Sequence, residues 1–228
     1  MAARPSEPEA KLTMAERAYR AIKHRILENH LPAGSIMLEQ ELAELLEMSR
    51  TPVREAMIRL AREGMIDIRP RHGMRVLPVA ADDMREIYEI LTALESEAAA
   101  QIARDGAAPE RIAELRNAVA QMDEALAADD LEAWARADDR FHRLILATCR
   151  NKRLEAIIEQ FWDQSHRVRM LTLRLRPKPT GSNLDHRALV DAIERGDAEA
   201  AQRIHHEHRA KNGRMLVELL ERHGLTQL

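Results

Sequence analysis

Beyond Pro78 the apolar residues keep a helical period almost to the end of the chain, and this is the strongest constraint on the fold. The spacing predicts six helices, over 82–104, 109–128, 131–149, 152–173, 182–195 and 197–222. They are separated by Asp105-Gly106 with Pro109, by Asp129-Asp130, by Arg150-Asn151, by the connector Pro177-Lys178-Pro179-Thr180-Gly181, and by Gly196. Connections this short predict an all-α antiparallel bundle. Only 3% of the residues are aromatic, which argues against an all-β fold. Cys149 is the single cysteine, so no internal disulfide can form, and it reads as a small buried apolar group. The first residues lack the apolar stretch of a secretory signal, and no run approaches the roughly 18 apolar residues of a membrane span, so a cytoplasmic protein without a membrane partner is expected.

The first 79 residues follow another plan. Positions 1–12 read as a disordered tail, 13–79 as one domain and 80–228 as a second. Ala18, Ile22, Ile26 and Leu27 mark a helix from Met14 to about Asn29, stopped by Leu31-Pro32-Ala33-Gly34. A short helix carries Leu42, Leu45 and Leu46, and after Glu47-Met48 a third starts at Ser49 or Thr51, with either hydroxyl placed to cap it. Val53, Ala56, Met57 and Leu60 form its inward stripe, which turns Arg50 and Arg54 toward solvent. After Gly64 the period falls to two. Met65 to Arg69 and Met74 to Pro78 read as a hairpin around Pro70-Arg71-His72-Gly73. The domain is thus a winged helix-turn-helix, and the chain is mainly α.

Charge is distributed to match. Residues 1–79 carry 13 Lys and Arg against 11 Asp and Glu, whereas residues 80–228 carry 22 against 27. Seven arginines fall between residues 49 and 76 against three acids, the footprint a small DNA-reading module needs. A helix-turn-helix presents the start of its second helix to the major groove, where arginine can pair bidentately with guanine. That places Ser49, Arg50, Thr51 and Arg54 as groove and phosphate contacts, and Arg69, Arg71, His72, Gly73 and Arg75 as a basic wing. Composition alone also allows a plain solvated face.

The segments Leu31-Pro32-Ala33-Gly34, Leu42-Ala43-Glu44, Ser49-Arg50-Thr51-Pro52-Val53-Arg54-Glu55-Ala56 and Glu63-Gly64-Met65 together resemble the N-terminal domain of the GntR family of bacterial transcription regulators. The resemblance implies that Arg50, Thr51, Arg54 and the wing contact operator DNA. Gln40 stands where relatives often carry an arginine, so no phosphate contact is assigned there.

In the second domain Asp138 and His142 lie four apart on one helix face, His186 opens the fifth helix and His208 lies midway along the sixth. Three imidazoles and a carboxylate on inward-facing helices could hold a divalent transition ion and leave positions for a ligand. For any one histidine, a structural role is the simpler reading. The pattern Asp138-Asp139-Arg140-Phe141-His142, His186 before Gly196-Asp197, then His208, is similar to the FCD-type ligand-binding domain of the FadR subfamily, most of all its six-helix VanR-like branch. The resemblance implies a metal such as zinc or nickel at Asp138, His142, His186 and His208, and a small organic acid effector. Relatives place an arginine for the acid where this chain has Leu91, so either the effector is less anionic or Arg143 or another basic group compensates. Trp134, Phe141, Phe161 and Trp162 read as core; His205 and His206 as outward-facing; Arg174, Arg176 and Lys178 most simply as a solvated loop, with a lid over the cavity as the alternative.

The expectation is a metabolite-responsive transcription regulator, not an enzyme, that binds a pseudo-palindromic operator as a homodimer. Two alternatives stand beside it. A metal-dependent enzyme using the His3Asp group would lack an evident general base, and an architectural DNA binder would leave the four metal-type residues without a purpose.

Overall fold

The computed structural model describes residues 12–70 and 72–223, so the expected tail falls outside them except for Leu12, as does Arg71. The chain divides between Pro78 and Val79 into two compact units.

In the first unit α1 spans Met14–Leu27, opened by Thr13, whose hydroxyl accepts from the Glu16 amide at 3.1 Å. Helix α2 spans Glu39–Leu45 and α3 spans Arg50–Arg62. Between them Glu47 takes a positive φ of 52°, and the Met48 amide donates back to Ala43 O at 2.9 Å, which ends α2 without a glycine. The cap of α3 is Ser49, but neither expected hydroxyl bond forms: Ser49 makes no side-chain cap, and Thr51 lies one residue inside the helix. Val53, Ala56, Met57 and Leu60 are buried as the stripe predicts, and they pack on Ala18, Ile22 and Ile26 of α1. Tyr19 fastens the same pair of helices from the side. Its hydroxyl donates to Glu63 at 2.9 Å, and the Arg59 guanidinium lies 3.5 Å over its ring.

The hairpin is present as β2 (Ile66–Arg69) and β3 (Gly73–Val76), paired antiparallel. A third strand, β1 (Ile36–Met37), joins β3 on its other edge and was not foreseen, because two residues carry no readable period. Gly73 makes that pairing possible. It sits at φ +75°, and a Cβ there would lie 2.1 Å from Met37 O.

The second unit holds α4 (Ala81–Asp105), α5 (Pro109–Ala127), α6 (Leu131–Thr148), α7 (Lys152–Leu171), α8 (Thr180–Glu194) and α9 (Ala198–Arg222), a helical bundle within a residue or two of the predicted spans. The predicted breaks act as caps. Asp130, Asn151 and Asp197 each accept from a backbone amide three residues on, at 2.8, 3.1 and 3.0 Å. Helix α4 runs along α9, α5 pairs with α6, and α8 packs on α5 and α9. Gly213 of α9 lets α4 come close, since a Cβ there would meet Tyr88 Cγ at 2.9 Å. Trp134, Phe141, Trp162, Leu91 and Cys149 are all buried in this core.

Candidate nucleic-acid interface and candidate metal centre

Ser49, Arg50, Thr51 and Arg54 line the exposed start of α3. The two arginine side chains are each 62% exposed, and both are tied to one carboxylate. Glu39, the first residue of α2 and only 15% exposed, accepts from Arg50 Nε at 2.8 Å and from Arg54 Nε and Nη2 at 2.7 and 3.0 Å. Arg54 first, and Arg50 with it, hold the Glu39 carboxyl below its ordinary range. On the wing Arg69 and His72 are exposed, the His72 amide closes the turn onto Arg69 O at 3.0 Å, and Arg69 Nε donates to Asp67 at 3.1 Å. Arg75 is half-buried and sits in register between Ile36 and Asp67. Gly73 is accounted for by strand packing. Gln40 is exposed and donates to Glu44 at 3.0 Å within its own helix.

In the second unit His142, His186 and His208 offer donor atoms that all lie within 4.8 Å of one another, and all three side chains are buried. Asp138 joins them, its Oδ1 lying 2.9 Å from His186 Nε2 and 3.8 Å from His142 Nε2. Helix α6 supplies Asp138 and His142, α8 supplies His186 and α9 supplies His208. Phe141 stacks on the His186 ring at 4.3 Å and fixes its plane. Asp185 Oδ2 lies 3.0 Å from His208 Nδ1, leaving Nε2 to face other partners, among them the Asn212 amide nitrogen at 3.1 Å.

The donor set suits a divalent transition ion. Burial pushes His142 down to about 3 and His208 down to about 4, which keeps both imidazoles in the neutral form that ligates. Burial works the other way on Asp138, but His142, His186 and Arg169 outweigh it and hold that carboxyl well below its ordinary range. His142 Nδ1 is buried without a hydrogen bond, 3.6 Å from Glu95 Oε2. The adjoining cavity, about 20 Å³, is the size of one ion or one water.

A second triad shares His142. Glu95 and His205 also come within 4.8 Å of it, with His205 Nε2 lying 3.2 Å from Glu95. Arg209 is ion-paired to the same carboxylate, as Arg169 is to Asp138. His205 therefore faces inward, contrary to expectation, whereas His206 is exposed. The signal was available: residues 205 and 208 are three apart and share a helix face.

Two further expectations are corrected. Arg143 does not line the cavity: its side chain is 56% exposed, donates to Asp139 at 2.8 Å and stacks 4.9 Å over Trp162. The cavity's cations are Arg169, Arg176 and Arg209. Arg169 pairs with Asp138 and Asp139 at 3.3 and 3.2 Å. Arg176, read from sequence as solvated loop or lid, lies 5.3 Å over the Trp134 ring; its Nε is buried and unbonded, its Nη2 donates to Arg169 O at 3.4 Å, and the Asp138 charge acts on it without a direct ion pair. Its neighbours Arg174 and Lys178 are exposed and pair with Glu132 and Asp129, as a solvated loop would.

Residues 14–76 match the family described as bacterial regulatory proteins, gntR family, and residues 86–211 match the FCD domain. The chain is 31% identical over 197 residues to a probable D-xylose utilization operon transcriptional repressor from Paenarthrobacter nicotinovorans, covering 84% of each chain. It is 43% identical over 132 residues to an HTH-type transcriptional regulator in the TAR-I ttuE-ttuC' intergenic region of Agrobacterium vitis, covering 57% of this chain and 77% of that one. Among solved structures it resembles E. coli McbR/YncC, with a TM-score of 0.79 at 24% identity, over 91% of this chain and 99% of the other.

Proposed function

The chain belongs to the GntR family of transcription regulators, with an FCD effector-binding domain behind its DNA-binding domain, and we propose that it is a homodimeric, metal-dependent sensor of a small organic acid. Asp138, His142, His186 and His208 would hold a divalent transition ion such as zinc or nickel. When bound, that ion supplies a Lewis-acidic anchor for a carboxylate. The convergence of three imidazoles from three helices on one enclosed point, with the Asp138 carboxylate 2.9 Å from one of them, carries the reading.

The chain's own residues supply the rest of the acid site. Arg176 has a guanidinium beside the donor cluster with a buried, unbonded Nε and no direct ion pair among the described residues, so an acidic ligand would be its direct counter-charge. The space beside the donors is small, so an acid enters by displacing the Arg176 side chain from Trp134. That motion at the α7–α8 connector is the event that occupancy transmits.

The other unit reads the operator. Ser49, Arg50, Thr51 and Arg54 enter the major groove, and the wing residues Arg69, Arg71, His72 and Arg75 follow the adjacent backbone. Each chain has one reading unit, which supports a two-fold dimer on a pseudo-palindromic site whose spacing the acid alters.

The experiment is metal analysis of the purified chain, followed by thermal-shift titration with sugar acids, hydroxy acids and dicarboxylates, with and without chelator. The reading expects bound metal and an acid whose stabilisation disappears with chelator. Absence of metal together with a chelator-independent shift overturns it.

A further inference from the structure

We infer that Glu39 is a positioning residue for DNA reading, one that sets the base-facing edges of both Arg50 and Arg54. The inference rests on the reading that those two arginines enter the groove. One carboxylate spans both guanidiniums, although it lies 11 and 15 residues before them in sequence and on a different helix. The three bonds fall at 2.7 to 3.0 Å, and Glu39 is largely covered while the two arginine side chains stand out from it.

The division of nitrogen atoms matters. Glu39 takes Nε of Arg50, and Nε with Nη2 of Arg54. Among the described residues no contact takes Nη1 or Nη2 of Arg50, or Nη1 of Arg54. Both heads therefore present their far Nη1/Nη2 edge, the edge that pairs with guanine O6 and N7. The two residues are one helical turn apart, a rise of about 6 Å, so the guanines they read lie within about two base-pair steps of each other. A free arginine side chain loses rotamer entropy when a base fixes it, and a preformed fork loses less of it on binding.

The same carboxylate also cancels one positive charge, which weakens attraction to any duplex. These two effects have opposite signs when Glu39 is changed, and this separates positioning from mere neutralisation. A preferred duplex is first selected from a random library with the full-length chain. Dissociation constants for that duplex and a scrambled one are then measured by anisotropy at one salt concentration, for wild type, Glu39→Gln and Glu39→Asp.

Positioning predicts that Glu39→Gln lowers the ratio of selected to scrambled affinity about tenfold or more, the order of one bidentate base contact, while scrambled binding stays level or tightens. Glu39→Asp keeps the charge and shortens the reach, so it too lowers the ratio. Unchanged ratios in both variants, or equal tightening on both duplexes, overturn the inference, and matched melting temperatures guard against misfolding. Replacing each guanine by 7-deazaguanine separates the two layers. If wild type is insensitive at every guanine, the arginine reading itself falls. If wild type is sensitive and Glu39→Gln equally so, only the role of Glu39 falls.

Discussion

Single side chains in this protein are most informative where their charge is either matched or lacks a direct ion pair. Arg54 is matched by Glu39 and exposed, so Arg54→Ala should weaken binding to a selected operator by about tenfold or more without lowering the melting temperature, checked by anisotropy and calorimetry. Arg176 has no direct ion pair among the described residues. Arg176→Ala should abolish the thermal shift given by an acid effector while leaving the metal content unchanged. Buried imidazoles give a pH dependence whose sign is fixed. His142 and His208 take up protons near the ordinary value of 6.5 when unfolded, but only near 3 and 4 when folded. Their contribution is therefore complete above pH 6.5 and is lost as pH falls toward 4. The metal-free chain should lose about 2 kcal/mol per imidazole between pH 6.5 and 5, seen as a falling melting temperature, and His208→Ala should flatten that slope. Sequence showed Asp138 and His142 sharing a face, but not Glu95 or Arg209, which meet across 114 positions. Helical period orients a residue on its own helix and says nothing of which partner arrives opposite.

At the level of elements, most of the architecture was legible because helix ends carry local chemistry. Asp130 and Asn151 are caps, the breaks placed on them fall within a residue or two of the structure, and the break placed on Gly196 lies one residue before the cap Asp197. What local chemistry does not encode was missed. Strand β1 exists because β3 offers it an edge, and the α7–α8 connector turns Arg176 inward although its composition is that of a solvated loop. The close approach of β1 and β3 depends on Gly73. Gly73→Ala combines a left-handed backbone with a contact to Met37 O that no side-chain rotation relieves, and should cost about 2–4 kcal/mol by denaturant unfolding of the first unit. Wild-type stability in that variant would mean that β1 does not pair in solution.

For the molecule as a whole, a ligand that binds only the native bundle raises its stability as its concentration exceeds its dissociation constant, by about 2.7 kcal/mol at a hundredfold excess. Zinc or nickel should raise the melting temperature of the second unit by several degrees, chelator should reverse it, and His142→Ala with His208→Ala should erase both responses. Both tryptophans of the chain, Trp134 and Trp162, belong to that unit. Trp134 carries a guanidinium over its indole face and donates from Nε1 to Asn183 at 2.8 Å. Ultraviolet emission excited at the indole band thus originates wholly from the second unit and not from the DNA-binding one. The protein carries its own optical reporter, and displacement of one cation from one ring would appear as a change in colour or brightness without any added dye.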